Sequence, residues 1–217
     1  MAGITTAMLT SFKRDLLSGL HCFNATTTFT ATGTSTQTWT AVSSLTGLAV
    51  GMTLSGTNIA ANTVLDRIIS GTSIHVSVVT TGALGTVTAT GDSFKMALIK
   101  SGMAGTYSAS STNYTDITGN SDETTGTGYS AGGTALTNVS PSITSAVALT
   151  NFSPNPSWTS ASFSTAGCMI YNTSQRGPTA TLGCSVHDFG GTQTVSSGTF
   201  TAVMPTADNN NAILRIS

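Results

Sequence analysis

Few residues of this chain are of a type that does chemistry: three histidines, three cysteines and eight acids among 217 residues. A structural zinc site needs about four clustered His and Cys ligands. The only close pairs are His21-Cys22 and Cys184 with His187, and two ligands at each place are too few. A hydrolase triad needs Ser, His and an acid in one geometry. His187-Asp188 are neighbours on a predicted strand, so their side chains are expected on opposite faces. Asp116, Asp122 and Glu123 share a polar loop. They could contribute to a calcium shell of roughly six to eight oxygens, but their spacing is not that of an EF-hand, and a solvated loop is expected. Gly126-Thr-Gly-Tyr-Ser-Ala-Gly-Gly133 has the glycines of a phosphate cradle. It has no lysine and no helix after it, so it reads as a turn. The acids are too dispersed to offer a glycosidase pair. Trp39, Trp158, Tyr107, Tyr114 and Tyr129 could stack on sugar if exposed, but both tryptophans are expected in the core. The chain therefore reads as a non-enzyme, with no catalytic, cofactor-binding or metal-ligating residue to nominate.

Composition narrows the class further. Hydrophobic residues make up 39% and charged residues only 7%, where an ordinary domain carries about 25% charged residues. Polarity comes instead from Thr, Ser, Asn and Gly. A free monomer relies on scattered charge for solubility, whereas a subunit held in an assembly depends on it less. The net charge of −1 gives no footprint for nucleic acid or an anionic membrane. No apolar run approaches the roughly 20 residues that span a bilayer. The N-terminal residues lack the layout of a signal peptide, so synthesis and retention in a cytoplasm are expected. Cys22, Cys168 and Cys184 form no CxxC pair and read as buried thiols, with a Cys168–Cys184 bridge left open.

These residues need elements to hold them. Residues 8–20 are predicted to be helical, with Leu9, Phe12, Leu16, Leu17 and Leu20 on one stripe and Lys13, Arg14 and Asp15 opposite. The helix is expected either to dock a neighbouring subunit or to cap its own sheet. Elsewhere Thr, Val and Ile favour strands. Short runs at Thr26–Thr32, Thr36–Val42, Val64–Ile69, Ile74–Val79 and Thr86–Thr90 alternate with glycine breaks. Further runs fall at Phe94–Ile99, Ala135–Val139, Ala146–Phe152, Ser162–Tyr171, Thr179–Phe189, Gly198–Met204 and Ala212–Ile216. Turn signals at Pro154–Pro156, Arg176–Pro178 and Gly190-Gly191 divide them. The fold class expected is all-β, a β-sandwich of Ig-like or jelly-roll-like kind with one N-terminal helix and an inserted small β domain. Residues 1–23 supply the helix and lead-in, 24–91 the inserted module, and 92–217 the main sandwich.

Several short motifs carry a resemblance. Phe94-Lys-Met-Ala-Leu-Ile99, Thr112-Asn-Tyr-Thr115, the glycine-rich stretch 126–133 with Leu136-Thr137, Trp158-Thr159, Met169–Asn172, Asp188-Phe-Gly190 and Ala212–Ile216 occur in the order seen in a family of small tailed-phage virion proteins, which the chain resembles over most of 93–217. Residues 24–91 resemble a module of phage structural proteins through Gly47–Ile59 and Ile74–Val78. The resemblance implies virion structure without catalysis. The expected role is a capsid decoration or cement protein stabilising the head; the alternative is a tail-tip, baseplate or fibre-associated protein, or a host-surface-binding module. Expected partners are the major capsid protein or other virion proteins, with a homo-oligomer, a trimer by preference, on the particle surface.

Overall fold

A computed structural model describes residues 2–174 and 180–216, so the expected Arg176–Pro178 turn lies outside the described residues. The chain is all-β, with strands throughout and only two helices among the described residues. It opens with β1 (Gly3–Ile4), β2 (Ala7–Met8) and α1 (Thr10–Leu17). There follow β3 (Thr27–Thr30), β4 (Thr38–Trp39), β5 (Thr53–Gly56), β6 (Leu65–Ser70), β7 (Ser73–Val76) and β8 (Thr86–Thr90). Next come β9 (Phe94–Lys100), β10 (Thr106–Tyr107), α2 (Thr115–Gly119), β11 (Thr134–Leu136), β12 (Asn138–Thr144) and β13 (Val147–Phe152). The chain closes with β14 (Ser157–Asn172), β15 (Gly183–Thr201) and β16 (Leu214–Ile216).

Two compact units result: one holds Met1–Leu20, Ser93–Thr137 and Ser142–Ser217, the other His21–Asp92 with Asn138–Pro141. In the smaller unit, two three-stranded sheets, β3-β8-β5 and β4-β7-β6, enclose Phe29, Trp39, Met52, Leu54, Leu65, Ile74, Val76 and Val87. The strands are short and alternate inward apolar with outward Thr and Ser, as a half-buried pleated surface requires. The ends of this unit are tied: the Cys22 N–H donates to Asp92 Oδ2 at 2.9 Å, and the Asp92 N–H returns to the Cys22 carbonyl at 2.7 Å.

The larger unit is built on a five-stranded sheet ordered β11-β9-β14-β15-β2 and on the antiparallel pair β13-β16. Phe94 of β9 meets Phe152 of β13 at 5.5 Å between ring centroids, and both are buried. Along β9, Phe94, Met96 and Leu98 alternate with Lys95, Ala97 and Ile99. Ala97 and Ile99 are buried as well, so both faces of this strand are covered.

Two expectations are corrected here. The helix covers Thr10–Leu17 rather than 8–20. Its C-terminus closes with the Gly19 N–H on the Leu16 carbonyl and the Leu20 N–H on the Asp15 carbonyl, which satisfies the last carbonyls and stops the helix. Leu9 and Phe12 are buried as expected, but Leu17 is 92% exposed, and Asp15, assigned to the solvent face, is buried. Arg14, at 2.7 Å, accompanies that carboxylate. The second correction concerns Gly190-Gly191. They do not end a strand but form a bulge inside the continuous β15, where Thr165 pairs Gln193 and Gly167 pairs Asp188, leaving 189–192 opposite Ala166. Positive φ values of 76° and 135° at these two glycines make the bulge cheap there.

Candidate functional site

The residues singled out for chemistry are mostly occupied in holding backbone. Residues 122–124 run beside β9: Lys100 N–H donates to the Asp122 carbonyl at 2.8 Å, and Thr124 N–H to the Leu98 carbonyl at 2.9 Å. Neighbouring side chains on such an extended segment point to opposite sides. Asp122 and Glu123 therefore serve different centres.

Asp122 is fully buried. Its carboxylate accepts the N–H groups of Ala104 (2.9 Å) and Gly105 (2.7 Å) and the Tyr107 hydroxyl (2.7 Å), with Lys100 Nζ at 3.3 Å. Burial alone would raise the pKa of this group. The two backbone donors, the phenol and the lysine outweigh it and hold the carboxyl below its usual range. The phenol responds in the opposite sense: burial first, then the bond to Asp122, push Tyr107 upward.

Glu123 gathers the glycine-rich stretch. Its carboxylate accepts the hydroxyls of Tyr114 (2.5 Å) and Tyr129 (2.7 Å) and the Gly132 N–H (2.6 Å). The Tyr129 oxygen accepts the Leu98 N–H at 3.0 Å, and Tyr171 donates to the Gly132 carbonyl at 2.7 Å. Tyr114 and Tyr171 stack at 4.6 Å. Tyr129 also joins Trp158, Phe163 and Phe200 in an aromatic cluster. At Gly133, with φ 72°, an added Cβ would lie 1.8 Å from the Met96 carbonyl oxygen. The stretch 126–133 is thus pinned against β14 at Gly126–Gly128 and against β9 at Gly133, and residues 101–128, expected as a solvated loop, are organised around two carboxylates and α2. Asp116 acts locally, accepting the Thr112 N–H at 2.6 Å just ahead of that helix.

The remaining candidates do not converge. Among the described residues, no three His, Cys, Asp or Glu side chains are grouped to hold a metal ion. His187 reaches Ser185 Oγ at 2.8 Å, two residues away on the same face of β15. Ser185 is buried, while Asp188 accepts the Gly190 N–H. Burial lowers His187 to a pKa of about 4. Cys22, Cys168 and Cys184 are separate buried thiols, so the bridge left open is not formed. Cys168 pairs with His187 across β14 and β15, which leaves Cys184 out of reach of it. Trp39, Trp158 and Tyr107 are buried, and Tyr114 and Tyr129 are bound to Glu123, so these five offer no exposed platform. An open trough of about 550 Å³ is lined by Met96, Cys168, His187 and Met204, with Thr6, Asp188, Asn211 and Arg215 among its polar residues.

What the sequence reading missed is an edge. The strand β2 pairs with β15 only at Ser185 and Val186. Beyond them, among the described residues, no strand is hydrogen-bonded to the outer side of β15 as far as Thr201. Phe189 through Ala207 contain no charged residue, and the only proline is Pro205, past the strand. Natural proteins protect exposed edges with Lys, Pro, short strands or bulges. Here only the bulges interrupt a long edge. The signal was present as an uncharged run, but splitting it at Gly190-Gly191 concealed it. No family model matches the chain, and no curated protein or solved structure shows significant similarity to it.

Proposed function

We propose that the chain is a non-enzymatic structural subunit of a tailed-phage particle, specifically a decoration protein that binds the outside of the head. The observation that carries an assembly role is the open edge of β15 from Phe189 to Thr201, beyond the Asp188 N–H that Thr6 Oγ1 accepts. Such an edge presents alternate N–H and C=O groups to whatever strand meets it, and a neighbour that adds a strand satisfies them. The low charge of the chain has the same sense, since contacts between copies or with a capsid replace solvation by charge. The ordered motifs from Phe94 to Ile216 supply the particle class, and the major capsid protein is the proposed partner. Many copies on a symmetric shell multiply weak contacts into a durable one.

The test is stoichiometry. In purified particles of the phage that encodes it, the chain should rival the major capsid protein in abundance by quantitative mass spectrometry, and purified chain should rebind emptied, tailless heads. A few copies per particle, lost with the tails, would replace the head assignment by the tail one. Absence from particles would end both.

A further inference from the structure

We infer that the β15 edge is completed by the same edge of a second copy, antiparallel, about a two-fold axis between Ser196 and Ser197. This deepens the assembly reading above by naming the edge's occupant, and it is tested without any phage particle. The first observation is the sequence on the edge. Thr192-Gln-Thr-Val-Ser-Ser-Gly-Thr-Phe-Thr201 matches its own reverse at six of ten positions. Antiparallel self-pairing sets Thr192 opposite Thr201, Thr194 opposite Thr199 and Ser196 opposite Ser197. It also sets Val195 opposite Gly198 and Gln193 opposite Phe200. A two-fold interface must be complementary to itself, with each contact made twice, and the like pairs Thr192–Thr201 and Thr194–Thr199 meet that demand.

The second observation is charge. A two-fold axis brings near-axis charges against their own kind, so a self-pairing edge must be neutral. The 19 residues from Phe189 to Ala207 carry none, although Asp188 and Asp208 stand just outside the run. The third is accessibility: Thr192, Gln193, Thr194, Ser196, Ser197, Thr199 and Thr201 are all exposed. Ser197, at φ 49°, lies in a bulge against β14 between Ala161 and Phe163. The bulge falls on the axis, so the pairing consists of two four-residue runs. Thr192–Val195 of each copy meets Gly198–Thr201 of the other. The pair is two-fold, in place of the trimer expected from the sequence.

Analytical ultracentrifugation of the full chain over a wide concentration range should show a monomer–dimer equilibrium. The double variant Thr194→Lys/Thr199→Lys places lysines opposite lysines in this register and should weaken the dimer by about tenfold or more. Thr194→Glu/Thr199→Glu should do the same. Both variants should keep the wild-type circular dichroism and nearly the wild-type thermal transition, because the substituted side chains are exposed and the Thr194 Oγ1–Ser164 Oγ bond given up, at 2.9 Å, is itself exposed. Mixing the two variants should restore a dimer, and that heterodimer separates lost pairing from lost folding. A wild-type chain that stays monomeric at the highest concentration, a stable trimer, or lysine and glutamate variants that dimerise like wild type would overturn the pairing. None of these results bears on copy number in particles, so the two proposals fail separately.

Discussion

Removing the Asp122 carboxylate should be among the most damaging single changes available in the larger unit. The side chain is fully buried and accepts two backbone N–H groups and one phenol, with Lys100 Nζ at 3.3 Å. In Asp122→Ala those three donors lose their acceptor in a site without room for bulk water. Each buried donor left unmade costs about 1–3 kcal/mol. Allowing for relaxation of Gly105 and the Tyr107 ring, the expected loss is about 4 kcal/mol, a large share of the roughly 5–15 kcal/mol that holds a domain folded. Asp122→Asn keeps one acceptor oxygen but turns a donor toward donors, so about 2–3 kcal/mol is expected. Equilibrium unfolding in urea at pH 7, followed by tyrosine and tryptophan fluorescence, measures both. The pH dependence adds a second check. Because the folded pKa of Asp122 is depressed, its contribution is fully present above the unfolded value of about 3.9 and is lost as pH falls through the lower folded value. The gap between wild type and Asp122→Ala should therefore narrow below about pH 4. An alanine variant that loses less than about 1 kcal/mol, or a gap that stays constant into acid, would refute the idea that this carboxylate organises residues 101–128.

Further expectations follow from the same geometry. Gly133→Ala should cost about 3 kcal/mol or more by thermal unfolding, since its Cβ would meet the Met96 carbonyl oxygen at 1.8 Å in a backbone with φ 72°. None of the three buried cysteines should react with iodoacetamide in the native chain, and all three should after denaturation, read as mass shifts; burial pushes the Cys168 thiol up to about 12. His187 is held neutral in the fold, with a pKa of about 4 against about 6.5 unfolded. Its unfolded form binds the proton first, so stability should fall as pH drops from about 6.5 to about 4, and His187→Gln should flatten that part of the profile. Tyr107, Tyr114 and Tyr129 are raised by burial and by their carboxylate partners, and Tyr171 by burial to about 12. Absorbance at alkaline pH should show no tyrosinate in the native chain near pH 10, the unperturbed tyrosine value, and full ionisation once it unfolds.

The all-β class was legible because strand formers, glycine breaks and alternating apolar positions agree locally across most of the chain. Thr86–Thr90 and the opening of β9 at Phe94 were read closely from that pattern. The errors have physical causes. That both faces of β9 are buried was not legible, because a single strand does not announce that it is central. The helix stripe was extended to Leu17 and Leu20 by spacing alone, whereas the chain reverses at Gly19 and brings Asp15 inward instead. Gly190-Gly191 looked like a turn because a dipeptide cannot reveal whether the flanking strands continue with the same partner. The carboxylate centres were harder still. Asp122 and Glu123 were noticed as acids in a loop, but their donors come from Ala104, Gly105, Tyr107, Tyr114, Tyr129 and Gly132, and sequence spacing does not say which backbone groups a loop turns inward.

The central claim is that the uncharged edge of β15 is covered by another strand where the protein works. Cryo-EM of the intact particle tests it most directly. The proposal predicts repeated density for this chain on the outer head surface, with residues 192–201 hydrogen-bonded to a strand of a second copy. Particles that carry the chain with that edge facing solvent, or a head surface without it, would contradict the account.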